Sequence, residues 1–313
     1  MTSVKARARM IVAFGAAALI ASLAGIAYAH TGAWGPPQKI DEINGNSSEL
    51  NTPYLDGCPI QSPDGLSLYM ASNRPRYAGD TRTDLDIWVA HRRNKHAPFG
   101  APQNVASPVN STADDFCPTP IRHGGLFFVS RRVVPGACGG ADMFFARFDR
   151  RNGWSEPEHF ACQSDGGPNG SADEQGPSYL RKHGEAVLYF SSGPDIYVSD
   201  QLADGSFGPA TPVAELNTAF GDLRPNVRRN GLEIVFDSNR SDTLGGQDLY
   251  SANRESIDDP WSTPVNLGPV VNTTNNETRG SFWRGETLYF GRAPGPEGST
   301  DIYVTTRHGH GGH

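Results

Sequence analysis

The chain has 313 residues, only 37% of them apolar, with 36 glycines and 24 prolines, and its 27 Lys and Arg face 34 Asp and Glu for a net charge of −7. An acidic surface repels phosphate backbones, which argues against a nucleic-acid partner. So many turn residues among so few apolar ones favour many short strands over long helices.

Residues 1–29 carry Lys5, Arg7 and Arg9, then an apolar run over 10–26, then Ala27-Tyr28-Ala29. This is the pattern of a secretory signal peptide. The run is near the ~18-residue lower limit for spanning a bilayer, so a retained anchor competes, but the A-x-A ending favours cleavage after Ala29. Cleavage takes three of the 27 cations and leaves 24 against 34 acids, a net −10, with no membrane span in the mature chain. It also makes His30 the new N-terminus, where amine and imidazole together suit copper.

Residues 30–307 read as one domain of five repeats of roughly fifty residues. An aromatic, a small residue and a nearby proline open each unit, at Trp34, Phe99, Trp154, Phe207 and Trp261. An asparagine and, five residues on, a carboxylate follow: Asn51 and Asp56, Asn110 and Asp115, Asn169 and Glu174, Asn217 and Asp222, Asn272 and Glu277. Pro59, Pro118, Pro177 and Pro225 stand three residues after the carboxylate, with Gly280 in the fifth unit, and proline suits the start of a strand. A second strand is apolar and aromatic, as in Leu126-Phe127-Phe128, and a third begins at Asp86, Asp142, Asp195, Asp248 or Asp301. With a fourth after the Trp or Phe, each unit makes a four-stranded antiparallel blade, and the fold class is an all-β, five-bladed propeller. The last unit lacks its outer strand, so the strand near 34–40 is expected to supply it and close the ring. Residues 308–313 form a His- and Gly-rich tail whose His308, His310 and His313 suit loose zinc binding.

The run Pro59-Ile-Gln-Ser-Pro-Asp-Gly65 before an apolar strand and Asp86-Ile-Trp resembles the WD40-like β-propeller repeat family of the TolB type. The resemblance covers nearly the whole mature chain and implies the propeller fold. It says little of activity, because the shared residues are turn and packing positions. The separate α/β domain of the family's namesake is not seen here, so its role is not carried over.

Blade topology puts Cys58, Cys117, Cys138 and Cys162 on or near one face, called upper below, and an exported chain retains disulfides. Two bridges are expected. Same-blade proximity favours Cys117 with Cys138, leaving Cys58 with Cys162, and Cys138 with Cys162 competes. The carboxylates Asp56, Asp115, Glu174, Asp222 and Glu277 would ring the upper channel mouth. Five acids suit a cation such as calcium or glycosidase chemistry; five copies of one turn motif suit backbone hydrogen bonds instead, which is the favoured reading. The Asp that opens each third strand is expected to pair with Arg74, Arg132, Arg240 and Arg292 or with loop amides, and Trp88, Tyr197, Tyr250 and Tyr303 to pack between blades. Two loops, 76–84 and 133–140, exceed their counterparts, and blade three's is cut to Gly193-Pro194. With no nucleophile elbow or phosphate loop in the sequence, the expected function is a non-catalytic platform in the periplasm or outside the cell, without a cofactor, that binds an envelope or extracellular protein or a glycan. The alternative is a glycoside hydrolase using channel carboxylates, with Asp114 and Asp173 as the acids that break the repeat.

Overall fold

The computed structural model describes residues 32–307 apart from residue 285. The expected signal peptide over residues 1–29, His30, His308, His310 and His313 lie outside the described residues, and the copper and zinc expectations with them. No helix among the described residues is long and apolar enough to cross a membrane.

Five antiparallel sheets form the ring. Blade one is Asp56–Gln61, Ser67–Ser72, Asp86–His91 and Gln103–Asn104. Blade two is Asp115–Pro120, Gly125–Ser130, Asp142–Asp149 and Glu158–His159, with Gly153–Trp154 also paired to its third strand. Blade three is Glu174–Lys182, Glu185–Ser192, Asp195–Asp200 and Thr211–Pro212, and blade four is Asp222–Val227, Glu233–Ser238, Asp248–Asn253 and Val265–Asn266. Blade five takes Asn276–Trp283, Thr287–Ala293 and Asp301–Thr306, then borrows Gln38–Lys39 from the start of the chain. The expected clasp is therefore present: Gln38 pairs with Val304 and Lys39 with Tyr303.

A blade is covered on both faces by its neighbours, so its middle strands are buried on both sides rather than on alternate residues. Gly125–Ser130 and Glu233–Ser238 are buried at every residue. The core divides into clusters lying between blades, such as Ile87 and Val89 of blade one against Phe128 and Phe144 of blade two. Trp88 and Tyr250 are buried, and Tyr197 and Tyr303 pack at the edges of such clusters.

All five first strands share one irregularity. Their pairing with the second strand slips two residues past the repeat carboxylate, between Gly57 and Ile60, Phe116 and Thr119, Gln175 and Ser178, Leu223 and Asn226, and Thr278 and Ser281. The residue at the slip has positive φ in every blade: Cys58 at 49°, Cys117 at 48°, Gly176 at 61°, Arg224 at 51° and Arg279 at 51°. A left-handed residue other than glycine costs about 1 kcal/mol. The β-bulge turns these side chains toward the axis.

Arg279 shows the result. From blade five its guanidinium donates to the carbonyls of Gly176, Pro177 and Pro225 and to the Thr119 hydroxyl, at 3.0 to 3.3 Å. It is 1% exposed. The channel is thus plugged at this level, and the two faces of the disc are separate surfaces.

Candidate functional site

Asp56, Asp115, Glu174 and Asp222 open the first strands and Glu277 stands second in the fifth, and all five are fully buried. In four blades one arrangement repeats. The residue after the conserved asparagine, Thr52, Ser111, Thr218 or Thr273, donates its backbone N–H and its hydroxyl to the carboxylate at 2.6 to 2.8 Å. Arg74, Arg132, Arg240 and Arg292 pair with it from the end of the second strand. The arginines therefore serve the ring and not the third-strand aspartates, which corrects that half of the expected pairing. Asp142, Asp248 and Asp301 take loop amides instead, and Asp86 is held by Arg76 and Asn104. The repeated asparagine secures the preceding blade: Asn51, Asn110, Asn169, Asn217 and Asn272 each accept a backbone N–H at the start of that blade's third strand.

Blade three breaks the pattern twice. Gly170 stands where the others carry Thr or Ser, and Pro194 stands where three of them carry Arg after Ser-x. Glu174 keeps only the Gly170 N–H, at 2.8 Å, and the Ser192 hydroxyl, at 2.8 Å, both on Oε1. The equivalent serines of blades one, two and four accept from their arginine's Nε, so losing the arginine is what turns Ser192 toward the acid. Oε2 is buried with no hydrogen-bond partner among the described residues. Burial, outweighing these two bonds and aided by Asp142 and Asp173 nearby, pushes the Glu174 carboxyl up to about 8. Burial also raises Glu277, against the pull of Thr273 and Arg292.

Above Glu174 lies the seam between blades two and three. Asp114 and Asp173, the acids that break the repeat, share Arg131, at 3.6 and 2.7 Å, and their side chains are 35% and 38% exposed. Gly139 and Gly140 of the 133–140 loop press on Ala172 and Asp173 so closely that a Cβ at either would lie 2.4 and 2.6 Å from them. The loop is braced by the Cys138–Cys162 disulfide, Cα atoms 5.4 Å apart. This is the competing pair of the sequence reading, and it corrects the favoured Cys117–Cys138 and Cys58–Cys162 pairs and the count of two bridges: Cys58 and Cys117 stay free, because the bulge carries them to the axis, out of reach of the outer loops. There the two thiols meet at 2.9 Å. Burial opposes ionisation of Cys117, but the Cys58 S–H, Arg279 and Arg224 outweigh it and bring its pKa below the usual thiol range. Cys138, Asp142 and His159 also group within 4.8 Å, but the disulfide removes the sulfur as a ligand and Asp142 binds His159 at 2.8 Å.

No protein-family model matches the chain. No curated protein matches it in sequence either. Solved structures do match in fold. A xylan β-1,4-xylosidase from Bacillus halodurans is 14% identical with a TM-score of 0.55 over 83% of this chain, which spans 54% of that enzyme, about half its length. An arabinanase from Bacillus subtilis is 12% identical with a TM-score of 0.55 over 81% of this chain and 94% of its own, and an α-L-arabinofuranosidase from Lactobacillus brevis is 12% identical with a TM-score of 0.51 over 80% and 90%. At such identities the likeness is one of fold. These three neighbours are nevertheless glycoside hydrolases, which corrects the expectation of a non-catalytic platform. The reading of the five acids as copies of one turn motif holds in four blades and fails at Glu174.

Proposed function

We propose that the chain is an exported glycoside hydrolase acting at the upper seam of blades two and three, with Glu174 as its general acid. The broken symmetry at Glu174 carries the proposal. A glycosidase needs two carboxyls in different surroundings, one of which holds its proton at neutral pH. With its pKa near 8, Glu174 is mostly protonated at pH 7, and Oε2 has no protein acceptor among the described residues. The glycosidic oxygen would take that proton as its bond to the anomeric carbon breaks, a transfer that requires substrate binding to uncover the buried Oε2. Asp173 or Asp114, steadied by Arg131, would take a proton from the water that replaces it. This chemistry calls for no cofactor. The fold likeness to xylan- and arabinan-directed enzymes supports the reading, and the disulfide fits an exported chain.

The test is release of reducing sugar from arabinan and xylan by the mature protein. The proposal expects release, with Glu174→Gln lowering kcat by about 100-fold or more and either Asp173→Asn or Asp114→Asn lowering it comparably. No release by the wild type, or equal release by Glu174→Gln, overturns it.

A further inference from the structure

The opposite face carries a feature of its own. Four residues after the strand-opening proline or glycine stand Arg122, Arg181, Arg229 and Arg284, with Pro63 in blade one. Four blades of five thus present an arginine at the same position, where the first strand turns at the lower end of the channel. All four are exposed, and among the described residues none forms an ion pair. They rim a cavity of about 1200 Å³ that lies below the Arg279 plug and includes Thr119, to which Arg279 donates. Six arginines line it against three acids, whereas the whole chain carries −7. Its wall includes the half-buried rings of Phe145, Phe160, Tyr179 and Trp283.

A cluster of cations on an otherwise acidic protein selects for anions. Guanidinium forks match carboxylate and sulfate oxygens in geometry as well as charge. Aromatic rings in a concave wall suit flat, partly apolar ligand faces such as those of pyranoses. The cavity is too small for a duplex, and the acidic remainder of the surface resists a polymer charged every ~1.7 Å. We propose that the lower mouth is a binding site for an anionic oligosaccharide whose acid groups, carboxylate or sulfate, sit on its sugar rings. This site stands apart from the seam at Glu174, so it holds or fails independently of hydrolysis.

Calorimetric titration of the mature protein with tetragalacturonate, a chondroitin sulfate tetrasaccharide and neutral galactotetraose tests it. Binding of at least one acidic probe, absent with the neutral one and weakened by salt, is expected; stronger binding of tetragalacturonate points to carboxylates alone, and stronger binding of the chondroitin probe, which carries both groups, to a site that also takes sulfate. Arg122→Gln with Arg229→Gln should weaken it about tenfold or more, and Arg122→Gln alone less. These positions are exposed turn ends, so thermal melting of the variants should match the wild type. Equal binding of the neutral probe, no binding of either acidic one, affinity unchanged in the double variant, or tighter binding of a single-stranded oligonucleotide overturns the proposal.

Discussion

Glu174 shares its position with four other acids and differs from them in its neighbours. The missing Thr or Ser hydroxyl and the missing arginine leave it two hydrogen bonds, and burial then favours the neutral form. In the unfolded chain the same carboxyl titrates near 4.5. Below that pH both states hold the proton; as pH rises to about 8 the folded state keeps a proton that the unfolded state has lost. Its contribution to stability is therefore complete below the unfolded value and declines across that window. Glu174→Gln should flatten the fall of Tm over this range and raise Tm by a few degrees at about pH 9. Melting curves of both proteins across pH check this. The signal was present in the sequence, as Asn169-Gly170 against four Asn-Thr or Asn-Ser pairs and as Ser192-Gly193-Pro194 against three Ser-x-Arg runs. In the sequence the short loop at Gly193 reads only as an irregularity of length. Its electrostatic meaning required knowing that the end of the second strand returns to the start of the first.

The blade as an element was legible because its apolar middle strand, strand-opening proline and third-strand Asp recur at fixed offsets. The bulge was not, for no residue type marks it: cysteine, glycine and arginine all occupy the left-handed position. That single twist accounts for the mistaken cysteine pairs, since it rotates Cys58 and Cys117 inward. Gly176 is the one bulge residue without a side chain, and its surroundings leave no room for one. A Cβ there would lie 2.6 Å from Arg224 Cα and 3.1 Å from Arg279 Nη1, at a φ of 61°. Gly176→Ala should cost about 2 kcal/mol through overpacking and backbone strain, read as a lower denaturant midpoint with an unchanged m-value.

The ring as a whole depends on residues that are farthest apart in sequence. Gly35 bonds the Thr306 carbonyl at 2.8 Å, Thr305 donates to Gly35 at 2.5 Å, and Arg307 lies 4.6 Å over the Trp34 ring. Removing residues 32–40 would expose the third strand of blade five as an open edge. Tm should drop by about 10 °C or more, with concentration-dependent association visible by light scattering. A stack of repeats in a line can fray from either end, each unit answering only to its neighbours. Here the guanidinium of Arg279 touches blades two, three and four from blade five, so none of those three can leave without taking hydrogen bonds from a buried charge that belongs to another blade. Unfolding is accordingly one event for the disc, and a protease meets either the intact ring or a chain with no blade left to protect.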